Sequence, residues 1–153
     1  MTDDAGRTAD PSADPTALPP LELGFPGELR DRLVAAVLDG SKTATTGVVA
    51  GYAHEGEELP RVGRRSLVLD SAGESVAVVE VTEVRVVPLG DVDLGHAVDE
   101  GEGHTTLAEW RRDHEAFWHG PDMRTALDDP HFTVDDDTPV VLERFRVVAD
   151  LRA

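Results

Sequence analysis

Residues 75–87 read SVAVVEVTEVRVV, a run dominated by β-branched residues and free of strand breakers. Alternation fixes the side each residue faces: Val79 and Val81 share one face, while Val84 and Val86 share the other. The buried face therefore switches near Thr82 and Glu83, and a bulge or sharp bend there is the simplest account. Bends of this kind let a few short strands curl into a small barrel.

Upstream, RSLVLD (65–70) and the turn SAGE (71–74) supply an antiparallel partner. Downstream, TPVVLERFRVVADL (138–151) gives a last strand with Val141, Phe145 and Val147 on one side. Two helical patterns flank these strands. FPGELRDRLVAAVLDG (25–40) places Pro26 in a first turn and Gly40 as a left-handed stop, with Leu29, Leu33, Ala36 and Val37 on one face. TTLAEWRRDHEAFW (105–118) opens with a capping box, Thr106 and Glu109, and carries a stripe of Leu107, Trp110, His114 and Phe117. The expected fold is α+β, a bent β-barrel with helices covering its ends.

Composition narrows the function classes. The formal net charge of -17 opposes long-range attraction to nucleic acid by the chain as a whole, leaving room only for a local basic cleft. Asn and Gln are absent, which removes the side chains suited to bidentate reading of adenine, so a small ligand is the better expectation. There is no cysteine for disulfide or thiolate chemistry, and no apolar run of the roughly 20 residues that span a bilayer. A cytoplasmic protein without a membrane partner is expected. Residues 1–20 hold four of the ten prolines and, with four Asp against Arg7, a charge of -3; they read as a disordered acidic tail. The folded domain, residues 21–153, keeps the remaining -14.

One residue stands apart. Of fourteen basic residues a single one is lysine, Lys42, in DGSKTATTG (39–47). The lack of Ile and Asn beside this scarcity fits a GC-rich coding bias that prefers arginine wherever a plain cation is enough. Lysine, unlike arginine, loses its proton near neutral pH when desolvated, and so can act as a base or nucleophile. The alternative is a chance survivor on a solvated loop.

In DEGEGH (99–104), single glycines separate Glu100 from Glu102 just before a helix, a way to present a carboxylate at a cleft or simply a solvated acidic turn. His114 and His119 are five apart rather than the four of a zinc-binding helix, and the remaining histidines have no ligand-like spacing. DDDTP (135–139) lacks the alternation of a calcium loop. No metal and no cofactor are expected.

Taken together, LVAAVLDGSKTATTG, the strand pair around SAGE, HAVDEGEGHTTLAEWRRDHEAFW and VVLERFRVV resemble the ASCH domain family over residues 25–149. The family hallmark G-x-K-x-x-T matches Gly40, Lys42 and Thr45. The resemblance implies a PUA-like fold with a cleft, and RNA, nucleotides or modified nucleosides as ligands. Some small bacterial members are amidohydrolases that deacetylate N4-acetylcytidine with a lysine, a threonine and a downstream glutamate. Carried over, Lys42 takes a proton, Thr45 attacks the amide carbonyl and Glu100, or Glu102, protonates the leaving amine. Thr43 and Thr46 are substitutes for Thr45, while Gly40, Trp110 and His114 complete the expected ligand-binding set. In an extended chain Lys42 and Thr45 face opposite sides, so this chemistry calls for a turn within KTAT. The other readings are a non-catalytic RNA- or nucleotide-binding module and a ribonuclease.

Overall fold

The computed structural model describes residues 18–152; the expected disordered tail falls mainly on residues 1–17, outside them. Leu18 is buried against Leu67 and Val78, and the Pro19 carbonyl accepts the Leu67 N–H at 2.9 Å, so packing begins ahead of Leu21. In chain order the elements are β1 (Pro20–Leu21), α1 (Glu28–Asp39), β2 (Ala44–Val48), α2 (Val49–Glu55), β3 (Arg65–Leu69) and β4 (Ser75–Pro88). A short 3-10 turn (Leu89–Asp91) leads to α3 (Leu94–Asp99), α4 (Leu107–Trp118), α5 (Pro121–Ala126) and β5 (Pro139–Asp150). The strands form one five-stranded sheet, β1-β3-β4-β5-β2, antiparallel except for β1 with β3.

The bend lies where the pattern of β4 changes. Val81 pairs with Phe145 and Glu83 with Arg144, so the register slips at Thr82. On one side of the slip, Val68, Val79 and Phe145 pack with Leu33 and Val37 of α1. On the other, Val140 and Leu142 pack with Leu89 and with Trp110 and Trp118 of α4. A single long ribbon thus serves two cores.

The α+β class holds, but the sheet is open rather than a closed barrel. The edge of β2 that would complete a barrel is instead met by the end of α3, where the Thr43 N–H donates to the Asp99 carbonyl at 2.8 Å. The opposite edge strand, β1, has only two residues, too few to bridge the gap. Three further corrections concern the helices. Pro26 precedes α1, whose N-cap is Gly27; Gly40 closes it in the left-handed conformation as expected. Thr106 caps α4 by accepting the Glu109 N–H at 3.1 Å, but Glu109 returns its carboxylate to Thr105, one residue earlier than a capping box requires. Leu107 is 39% exposed, and Trp118 takes the buried place assigned to it.

Phe145, 4% exposed beside the bend, supports the core under α1. Phe145→Ala is expected to cost about 3–5 kcal/mol in urea unfolding, whereas Leu107→Ala costs well under about 1 kcal/mol.

Candidate functional site

The approach of two distant turns builds the site. Gly101 follows α3 with φ 75°, and a Cβ there would lie 2.6 Å from the Ser41 carbonyl oxygen and 2.8 Å from the Lys42 nitrogen. The glycine is needed because the chain touches itself, not because a ligand approaches the backbone. With the Thr43–Asp99 bond beside it, this contact drives the Lys42 side chain under the turn. Its Nζ donates to the Ala44 carbonyl at 2.7 Å and the Glu100 carbonyl at 3.2 Å, and stands 3.9 Å from Glu100 Oε1. Lys42 is 2% exposed and Glu100 is 1% exposed. The lone lysine is an interior residue.

Glu100 is the hub. Its Oε2 accepts a short hydrogen bond from the Thr46 hydroxyl, and its Oε1 faces His114 Nε2 at 3.0 Å. Thr46 Oγ1 has spent its proton on Glu100, so His96 Nε2, 2.8 Å away, must donate to it. His114 Nδ1 lies 2.9 Å from the Trp110 carbonyl, which can only accept; this places a proton on Nδ1. A carboxylate at Nε2 then calls for a second proton, making His114 an imidazolium. Its ring stacks on Trp110 at 4.2 Å and meets the edge of Trp118 at 5.4 Å, an arrangement that favours the cation.

The titration shifts follow. Burial opposes charge on His114, but the hydrogen bond and charge of Glu100 outweigh it and raise its pKa. Burial likewise opposes ionisation of Glu100, yet His114, His96 and Lys42 hold its pKa well below the carboxylate range. Lys42 goes the other way: burial lowers its pKa despite the nearby carboxylates. Glu102, half-buried, is raised by burial, with the Glu100 charge adding to the effect and Lys42 opposing it. Two neighbouring carboxyls are thus driven apart.

These groups open on a cleft of about 730 Å³. All five strands contribute to its wall, through Pro20, Thr45, Ser66, Val81 and Glu143, and the open sheet curls around it. Tyr52 of α2 packs over Gly47, where a Cβ would sit 3.2 Å from the ring, and its hydroxyl is pushed up to about 12 by burial and by Glu143 and Glu57. Phe25 and Phe117, whose rings meet at 5.6 Å, also line it.

Lys42, Thr45, Thr46, Glu100, Glu102 and His114 all line this cleft. Gly40 and Thr43 do not: Gly40 caps α1, and the Thr43 hydroxyl faces the Asp99 carbonyl at 3.4 Å. Trp110 lies behind His114 and orients it. There is no turn inside KTAT; the bend is at Ser41, and Lys42 and Thr46 both reach Glu100 while Thr45 pairs with Glu143 across β5. His96, Tyr52 and Glu143 escape the sequence reading: His96 and Glu143 meet Thr46 and Thr45 from far along the chain, and Tyr52 sits on a short helix that its own sequence does not announce. Among the described residues, Glu100, Glu102 and His114 have ligand atoms within 4.8 Å of one another, a spacing that could hold a metal ion. The donor chemistry fits a cation poorly: His114 carries a proton on the nitrogen a metal would need, and the Lys42 amine stands beside Glu100.

Gly101→Ala is expected to destabilise the fold by several kcal/mol, to be seen as a lowered urea midpoint, because the clash is with backbone rather than a movable side chain. His114, with its raised pKa, contributes stability that is full below about pH 6.5 and is lost as pH rises through its folded value. Thermal melts of wild type and His114→Gln are therefore expected to converge as pH rises from about 6 to about 9.

No sequence among curated proteins matches the chain. Among solved structures it is similar to protein EF3133 from Enterococcus faecalis V583, with 28% identity and a TM-score of 0.73 over 84% of this chain and 75% of that one. It is also similar to an ASCH domain from Lactobacillus crispatus JV V101, with 28% identity and a TM-score of 0.66 over 78% of this chain and 72% of that one. No helix among the described residues is long and apolar enough to cross a membrane. The family model for the ASCH domain matches residues 22–149, nearly the whole sheet and every helix that shapes the cleft, and the chain belongs to the ASCH domain family.

Proposed function

We propose that the protein is a metal-independent amidohydrolase acting on an acylated nucleoside of the N4-acetylcytidine kind. The observation that carries this reading is the pairing of charges around Glu100. His114 supplies the positive charge that one buried carboxylate needs, so desolvated Lys42 is the group that gives up its proton. Its two N–H bonds go to the Ala44 and Glu100 carbonyls, and a neutral amine then retains a lone pair to act as base.

No turn within KTAT brings Lys42 and Thr45 together, but both line the cleft, and the charge of Glu143, which stands opposite Thr45, reaches Lys42. Lys42 takes the proton of Thr45 Oγ1 over one water as that oxygen attacks the acyl carbon. The bond from that carbon to N4 breaks, and Glu102 supplies the proton to the leaving nitrogen. Its raised pKa suits a donor, whereas Glu100 is held ionised. Water then cleaves the Thr45 ester, giving one proton to Glu102, while Lys42 returns its own to Thr45. Thr46 is the weaker nucleophile because its hydroxyl already bridges His96 and Glu100.

The cleft volume suits a nucleoside. The net charge of -17 favours a neutral substrate over an RNA polymer. ASCH membership also accommodates a non-catalytic nucleotide-binding role, in which Lys42 is a fixed cation; in that case arginine replaces it without loss. The test is chromatographic assay of N4-acetylcytidine hydrolysis. Lys42→Arg, Thr45→Ala and Glu102→Gln are expected to lower turnover by about 10²–10⁴-fold each, and Thr46→Ala by much less. Full activity in Lys42→Arg would remove the base, and nucleoside binding without product in wild type would move the protein to the binding class.

A further inference from the structure

Glu143 of β5 is a buried cleft carboxyl that the chemistry above leaves unused. It is 6% exposed, it lines the cleft, and its carboxyl has no hydrogen-bond or ion-pair partner among the described residues. Its oxygens are not among the fully enclosed unpartnered atoms, so the carboxyl of this largely buried residue opens on the cleft, where a ligand can reach it. It stands directly opposite Thr45 in the β2–β5 pair, so the two side chains share a face, with Cβ atoms about 5 Å apart.

We propose that Glu143 reads the substrate's ring edge, binding as a neutral carboxylic acid to an adjacent N–H donor and ring-nitrogen acceptor, as on the Watson–Crick edge of a cytosine. This rests on the acyl-nucleoside reading and assigns the residue that selects its pyrimidine base. A carboxylic acid presents one donor and one acceptor, which complements such an edge with two parallel hydrogen bonds. The N4–H and N3 of an N4-acylated cytosine adjoin the bond to be cut, so a group holding that edge beside Thr45 sets the acyl carbon near the attacking hydroxyl.

The surroundings shift the carboxyl toward its neutral form. Burial raises its pKa, while Arg64 and Lys42 oppose the shift; Tyr52 faces it from α2 with its hydroxyl protonated, and β4 offers only Val84 opposite. An ionised carboxylate would instead select two adjacent donors, the edge that guanine presents. In this proposal the protonation of Glu143 sets the base preference.

The test is calorimetric binding of cytidine at about pH 6 and about pH 8 to wild type, Glu143→Gln and Glu143→Leu, each first shown folded by its thermal melt. Wild type is expected to bind cytidine more tightly at the lower pH. Glu143→Gln, a neutral donor–acceptor group at any pH, is expected to keep the affinity and lose most of that pH dependence. Glu143→Leu is expected to bind about ten-fold or more weakly. Guanosine is expected to show the opposite pH trend in wild type. Wild-type affinity in Glu143→Leu, or the full wild-type pH dependence in Glu143→Gln, would overturn the assignment of Glu143 while leaving the nucleoside reading intact. Absence of any nucleoside binding by wild type would overturn both.

Discussion

The site depends on one buried carboxylate. Glu100 is enclosed by Lys42, Thr46, His96 and His114, groups drawn from three separate stretches of chain. A charge in such a place is tolerable only when paired and hydrogen-bonded, and removing a partner from a buried pair typically costs about 3–5 kcal/mol. Two potential cations face a single anion. The imidazolium of His114 has the shorter contact, 3.0 Å against 3.9 Å for Lys42, and is further favoured by the aromatic rings around it. The lysine is left in a desolvated pocket with too little compensating charge, and a group needed for structure becomes a candidate base.

That arrangement constrains the backbone around it. The turn between α3 and α4 must lie against Ser41 and Lys42 so closely that no side chain fits at Gly101. The Arg144 guanidinium holds Asp99 at 2.6 Å, and the Thr43–Asp99 bond extends the contact along β2. The same contacts occupy the edge through which the sheet would otherwise close. An open, curled sheet with a cleft in its mouth follows from how Glu100 is buried.

Much of the scaffold was legible because it obeys local rules. The pattern of SVAVVEVTEVRVV located the slip at Thr82, although the slip leaves Val86, expected on the buried face, 50% exposed and packs Val87 on the core instead; Gly40 marked the end of α1, and Thr106 marked the start of α4. Short elements were missed. ATTGV has too few residues and too many threonines to announce β2, and α2, α3 and α5, of six or seven residues, are held by packing rather than by their own periodicity. Leu107 fell on the expected apolar stripe yet faces solvent, because α4 turns its two tryptophans to the core instead.

The ASCH resemblance, the strand that bends, and the chemical oddity of a single lysine near an acidic glycine turn could be read before folding, since they reside in residue identity and short spacing. What those residues are to one another emerged with the folded chain. It put Thr46 rather than Thr45 on Glu100, turned His114 into a partner for that carboxylate, and exposed the unpartnered Glu143 beside Thr45. The physical reason is that protonation depends on burial and on neighbours within a few ångströms. For Lys42 and Glu100, 58 positions apart in the chain, those neighbours exist only once the chain has folded.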